Sequence, residues 1–174
     1  MRRQGRELAV MALYAIDGLP SFERQQALVR FWQVFVTPEV YEGLFAQASR
    51  NPHPMEEPAL WKAFDAQSGP LPPPAQFRSA REFATGRIAG ILEHQSEIDN
   101  AIRKASRSWP LHRMPQVDRS ILRLGAYELL HCEDVPPAAA INEAIEISKR
   151  YADRQSRSFI NGILDRIFQT SSRA

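Results

Sequence analysis

An all-α fold is what this 174-residue sequence predicts, and three observations lead there. Apolar residues recur at helical spacing through most of the chain. No alternating strand pattern competes with them. Prolines and small polar residues fall between the periodic segments, where helices must stop and start. The length suits one domain with a sizeable core. Hydrophobic content of 44% and aromatic content of 9% are those of a globular chain.

The first helix begins among basic residues and continues through Leu8–Ile16, apolar throughout and therefore buried on most faces. Gly18 and Pro20 end it. Ser21 caps a second helix running to about Val36, stopped before Pro38. Tyr41, Leu44, Phe45 and Ala48 share one helical face and predict a short third element. Residues 50–74 then hold seven of the thirteen prolines and read as loop and stiff linker. Within them Glu56–Ala66 predicts one short helix that docks through Leu60, Trp61 and Phe64.

From Ala75 the helical pattern returns. Phe83, Arg87, Ile88, Ile91 and Leu92 mark one helix, and Ile98, Ile102 and Ala105 another, with a break near His94–Glu97. Trp109-Pro110 closes the pair. Pro115 opens a helix to about His131 whose two apolar faces (Val117, Ile121, Leu124; Leu122, Ala126, Leu129) suit a central position. Pro136-Pro137 precedes a helix holding Ile141, Ala144, Ile145 and Ser148. Asp153–Ser156 forms the turn before a last helix with Phe159, Ile163 and Ile167 inward.

The net charge of +2 is unevenly spread. Residues 38–74 sum to −3, with two basic and five acidic side chains, and the remainder sums to +5. A polyanion-binding body carrying a neutralising insertion has this distribution. Arginine outnumbers lysine nineteen to three. Its planar fork suits phosphate and stacks on bases, although codon bias in a GC-rich genome gives the same excess. The single cysteine, Cys132, precludes an internal disulfide and fits a reducing compartment. No apolar run reaches membrane-spanning length and no signal-peptide pattern follows Met1, so the expected location is cytoplasmic.

Three blocks carry a resemblance. Met-Pro-Gln-Val-Asp-Arg-Ser-Ile-Leu-Arg-Leu-Gly-Ala-Tyr-Glu-Leu-Leu spans 114–130, Ala-Ile-Asn-Glu-Ala-Ile-Glu-Ile-Ser-Lys-Arg-Tyr spans 140–151, and Ser-Phe-Ile-Asn-Gly-Ile-Leu-Asp-Arg-Ile spans 158–167. With the arginine-rich start from Arg2 to Tyr14, they resemble the NusB family of helical RNA-binding proteins. The likeness covers 1–17 and roughly 77–168, leaving the stretch between without a clear counterpart. It implies a single NusB-like RNA-binding domain over 1–174, built as two packed helical subbundles. A variable, proline-rich, acidic insertion at 19–75 separates the first and third helical regions. The implied function is transcription antitermination: binding single-stranded boxA RNA together with ribosomal protein NusE, alongside NusA and NusG on RNA polymerase, notably in ribosomal RNA operons.

Arg2 and Arg6 share a helical face with Arg3 adjacent, at a helix N-terminus whose dipole also favours phosphate. A solvated amphipathic end is the structural alternative. The resemblance makes these three the RNA-binding segment. Gly5, where the family often has alanine, should loosen the first turn by roughly 1 kcal/mol. Arg154, Ser156, Arg157 and Phe159 form a second candidate RNA patch, since single strands are read by stacking, cations and hydroxyls. Phe159 is equally placed for the core. Gln155 stands where the family usually has an acidic residue, which removes negative charge from this face.

By resemblance, Tyr14 and Asp118 fall where the family meets NusE. Arg123 and Glu128 read better as buried ion-pair partners. Gly162 reads as a site of close helix packing.

No catalytic or metal motif is present. His53, His94, His112 and His131 lack paired ligand spacing, and His131-Cys132 is not a nucleophile–base arrangement. The expectation is no enzyme, no cofactor and no metal. Two other classes stay open: a detached targeting module related to ribosomal RNA cytosine methyltransferases, because no nucleotide-binding domain follows Ile167, and a structural homodimer. No membrane partner is expected.

Overall fold

The computed structural model describes residues 2–34 and 75–171. Among them are seven α-helices, one 3-10 turn and no strand. In order these are α1 (Arg2–Ile16), α2 (Ser21–Val34), α3 (Ala75–Glu93), α4 (Gln95–Ala105), the 3-10 turn Leu111–Arg113, α5 (Gln116–His131), α6 (Pro137–Tyr151) and α7 (Ser156–Gln169). The expected helices at Tyr41–Ala48 and Glu56–Ala66, and the linker at 68–74, lie outside the described residues.

Helix ends follow local chemistry. Gly18 takes a φ of 80°, a left-handed turn that stops α1 without a Cβ clash. Pro115 and Pro136 sit just before α5 and α6, and their carbonyls accept the first N–H groups of Arg119 and Ala140. Between α3 and α4 the break is one residue, His94. Its N–H still donates to Gly90 and its carbonyl still accepts from Ile98, each at 3.0 Å, so the helical ladder bends rather than ends.

Two subbundles result. α1 packs extensively on α3 and carries α2, while α4, α6 and α7 gather around α5. α5 also touches α1 and α3, and so joins the two halves. Ile121, Leu122, Leu124, Ala126 and Leu129 are buried on both of its faces, against Ile91, Ile98, Ile102, Ile147, Ile160, Ile163 and Leu164. Each such aliphatic side chain stabilises the fold by about 1.5–3 kcal/mol.

Close helix approach depends on glycines at three contacts, one of them Gly90, where a Cβ would stand 2.0 Å from the Tyr127 hydroxyl. A Cβ on Gly5 would stand 2.6 Å from the Phe83 ring and 2.9 Å from the Ala80 carbonyl, so α1 lies directly on the α3 backbone. Gly5 is therefore a packing position, and its cost to helix propensity is offset by contact. A Cβ on Gly125 would stand 2.8 Å from Leu164, where α5 meets α7. Gly162 was expected to serve this purpose, but nothing lies within 4 Å of a Cβ built there. The small residue that admits the neighbouring helix is on α5, opposite Leu164, not on α7.

Candidate nucleic-acid interface

α1 and α5 lie side by side in opposite directions. Near the start of α1, Arg6 Nε donates to both Glu128 oxygens at 3.0 and 2.9 Å, and Arg87 Nε donates to the same carboxylate at 3.1 Å. Both guanidiniums cover the Phe83 ring, at 5.4 and 4.6 Å from its centroid. At the far end of α1, Asp17 takes Arg119 and Arg123, and Arg123 also grips Asp99 in a bidentate pair at 2.8 and 3.0 Å. The expectation that Arg123 and Glu128 are buried ion-pair partners is met.

That arrangement divides the expected arginine cluster. Arg6 is 5% exposed and holds a carboxylate that is itself 1% exposed. A buried charge needs its partner, so Arg6 is fixed inward as part of the scaffold and presents no free guanidinium to a phosphate. Arg2 and Arg3 project outward, with side chains 66% and 54% exposed. Arg3 forks onto Glu143 of α6 at 2.7 and 3.0 Å, and Arg2 stands 3.9 Å from Asp134. Arg3 holds the Glu143 carboxyl below its ordinary range. Such surface pairs contribute about 0–1 kcal/mol and exchange readily for another anion.

The second expected patch lies toward the other end of α5. Asp118 and Glu128 are ten residues apart on that helix, about 15 Å. Here Ser156 is buried, and its hydroxyl donates to Asp118 Oδ2 at 2.7 Å, tying the first turns of α7 and α5 together. Arg154 is exposed. Arg157 is half-buried, and its Nε has no hydrogen-bond partner among the described residues. Phe159 is half-buried as well: it packs on the core, and its ring lies 5.5 Å from that of Trp109, which is 47% exposed. The core reading of Phe159 is therefore met for the part of the ring packed on the core, and the ring also borders the exposed Trp109.

Tyr14 is 38% exposed at the end of α1, and its carbonyl accepts from the Gln116 side chain at 2.7 Å. Asp118, expected on the same partner-facing surface, is only 3% exposed. Burial pushes its carboxyl above the ordinary range, the Ser156 hydroxyl opposes this, and Asp153 adds to it. Its Oδ1 is buried and finds no partner among the described residues. The side chain points between α5 and α7, so its contribution to any surface is made through Ser156.

Two groups were not singled out from the sequence. Arg150, seven residues after Glu143 on α6, donates to Glu7 at 2.7 Å, and Tyr151 donates to the same carboxylate at 3.4 Å. α6 therefore runs beside α1 and carries a polar strip from Arg3 toward the turn before α7. Trp109 borders a groove of about 560 Å³ shared with Arg103, Arg107, His112 and Arg119. The i, i+7 spacing of Glu143 and Arg150 was the only signal for the first group, and Trp109 carried none beyond its place in a loop.

A family model described as the NusB family matches residues 62–169. A transcription antitermination protein NusB of Syntrophotalea carbinolica is 39% identical over 170 residues, covering 98% of this chain and 93% of that protein. One from Anaeromyxobacter sp. is 36% identical over 166 residues, covering 95% and 88%. Both alignments run through residues 19–75, so that stretch has a counterpart in these relatives. Among solved structures, T. maritima NusB matches with a TM-score of 0.63 at 32% identity, covering 99% of this chain and 93% of that chain. A complex described as antitermination factors NusB and NusE with dsRNA matches with a TM-score of 0.62 at 23% identity, covering 97% and 96%, a likeness of fold. No helix among the described residues is long and apolar enough to cross a membrane. By the family match and by near full-length identity, this chain belongs to the NusB family.

Proposed function

We propose that this chain is an RNA-binding transcription antitermination factor. It binds boxA RNA together with NusE, and works with NusA and NusG on RNA polymerase in the cytoplasm. It performs no chemistry: phosphate contacts supply affinity and a few base contacts supply sequence preference. The observation that carries this reading is a connected strip of arginines, of which Arg2, Arg3 and Arg154 face outward while Arg150 and Arg157 are half-buried. Arg2 and Arg3 stand at one end, Arg150 follows on α6, and Arg154 and Arg157 lie at the other end beside the Phe159–Trp109 ring pair. Cations along a backbone path with stackable rings at one end suit a single strand. Arg6 supports this surface from beneath through Glu128.

The NusE surface is assigned to Tyr14 and its surroundings, with Asp118 acting indirectly by holding Ser156. Relatives named as transcription antitermination proteins, and a fold neighbour solved with NusE and RNA, support both partners. The test is fluorescence anisotropy with boxA RNA and a scrambled control, each with and without purified NusE. The expected result is preference for boxA that NusE strengthens. Equal weak binding to both RNAs, unaffected by NusE, would overturn the reading.

A further inference from the structure

We propose a divalent transition-metal site of two imidazoles and one carboxylate, formed by His94, Glu97 and His131 on the side of the molecule where α3 breaks into α4. Candidate ligand atoms of these three residues all lie within 4.8 Å of one another. His94 Nδ1 is 3.7 Å from Glu97 Oε2, and His131 Nε2 is 3.5 Å from the same oxygen. In a tetrahedral zinc site with bonds of roughly 2.0–2.1 Å, neighbouring ligand atoms stand about 3.3 Å apart. Two of the three edges are thus within a few tenths of an ångström of that spacing before any ion enters.

A second observation points to a ligand. His131 Nε2 is buried and has no hydrogen-bond partner among the described residues, although a buried ring nitrogen ordinarily finds one. It faces the Glu97 carboxylate at a distance too long for a good hydrogen bond and suited to a shared ion.

The backbone makes the site. His94 is the single residue between α3 and α4, and Glu97 lies one turn further along, on the same side of α4. His131 ends α5 and is held by Tyr127, whose ring stacks on it at 5.4 Å. The two imidazoles stack at 4.1 Å with planes 23° apart. Coordination needs each nitrogen lone pair to lie in its ring plane and meet the metal, so loading must turn one ring. His94, with a side chain 38% exposed, is the one free to turn, while His131 is packed. Two imidazoles and a carboxylate select zinc-like borderline cations over magnesium or calcium, which prefer all-oxygen shells. Water fills the remaining position. The bound ion would clamp the α3–α4 break to the end of α5.

The experiment titrates the untagged full-length chain with Zn²⁺ by calorimetry and with Co²⁺ by visible absorption, with Mg²⁺ as control. One-to-one saturable Zn²⁺ binding, a Co²⁺ d–d band and a higher melting temperature with Zn²⁺ are expected, with no response to Mg²⁺. His94→Ala and Glu97→Gln lie near the surface and should fold normally. Each should weaken Zn²⁺ binding roughly tenfold or more, since even outer-shell changes have effects of that size. His131→Gln should abolish the Co²⁺ band. Absence of binding in the native chain overturns the proposal and leaves a simple stack of His94, His131 and Tyr127. Binding that persists unchanged in His94→Ala and Glu97→Gln also overturns it, because the metal then lies elsewhere on the chain.

Discussion

At the C-terminal end of α5 one carboxylate, Glu128, serves two guanidiniums, those of Arg6 and Arg87. At the N-terminal end two guanidiniums, Arg119 and Arg123, share two carboxylates, Asp17 and Asp99. The second cluster is balanced. The first is rich in cations, and Asp134, 3.7 Å from Arg87 but more than half exposed, offsets it only weakly because solvent screens the pair. The cation-rich end is also the end from which Arg2 and Arg3 project. The excess of guanidiniums over carboxylates there includes the buried Arg6, and buried charge is screened less by salt. One end therefore suits an anion, while the other closes on itself and presents Tyr14.

The largest expected effect separates the two designs. Glu128→Ala strands the buried Arg6 guanidinium and leaves Arg87 only the more distant Asp134, and such a break costs about 3–5 kcal/mol. Asp99→Ala leaves Arg123 its bond to Asp17 and should cost about 1.5–3 kcal/mol, the range for losing a charged hydrogen-bond partner. Urea unfolding of both variants measures the gap. Equal losses would show that the single carboxylate is no more critical than the paired ones.

The balanced end holds two aspartates of opposite pH behaviour. Burial pushes the Asp17 carboxyl up, but the hydrogen bonds and charges of Arg119 and Arg123 outweigh this and hold it below the ordinary range. Its stabilisation is present above the unfolded carboxyl pKa, about 3.9, and is lost as pH falls through the folded value. Asp118 is raised, so its contribution is present below about pH 3.9 and is lost as pH rises through the folded value. Asp17→Asn should therefore cost about 1.5–3 kcal/mol at neutral pH and progressively less in acid. Asp118→Asn keeps an acceptor for Ser156 and should be neutral or stabilising at pH 7, with any gain disappearing in acid. Unfolding midpoints across the acid range decide it. Parallel pH profiles for the two variants would contradict the opposite signs.

Packing at the cation-rich end gives a third test. Gly5→Ala gains about 1 kcal/mol of helix propensity but drives a methyl into Phe83 and the Ala80 carbonyl, an overpacking cost of typically 1–3 kcal/mol. A backbone atom cannot step aside as a side chain can, so a net loss is expected in thermal melts. Gly162→Ala, with open space around it, should be neutral or stabilising.

Periodicity made the helices legible, and the two apolar faces of α5 gave its central position. What stayed hidden was depth along each axis and the identity of each neighbour. Arg2 and Arg6 do share a helical face, yet Arg2 extends past the end of α5 while Arg6 lies over Glu128. Angular position is written in sequence spacing; whether a neighbour continues alongside is not. Gly162 read as the packing glycine for the same reason, since only the assembled α5–α7 contact says that Gly125 is the one that meets a side chain. Ser156 read as a surface hydroxyl because its partner, Asp118, is 38 residues away. His94 and His131 are further examples: they have no local ligand spacing, and the packing of the α3–α4 break against α5 brings them together.

The smallest effect on the fold is the sharpest test of the arginine division. Arg2→Ala with Arg3→Ala removes two exposed side chains and should change stability by no more than about 0.5 kcal/mol. If both arginines contact phosphate, the double variant should flatten the salt dependence of boxA binding by about 1.4 in slope, at roughly 0.7 per contact on a single strand. Glu143→Gln works in the opposite direction. It releases Arg3 from its carboxylate and removes a negative neighbour, so affinity should rise modestly. Arg6→Ala should lower stability like Glu128→Ala, but leave the slope of the fraction that remains folded close to native. A double variant with unchanged slope and affinity would remove α1 from the RNA surface, and the cation-rich end of α5 would then be structural alone.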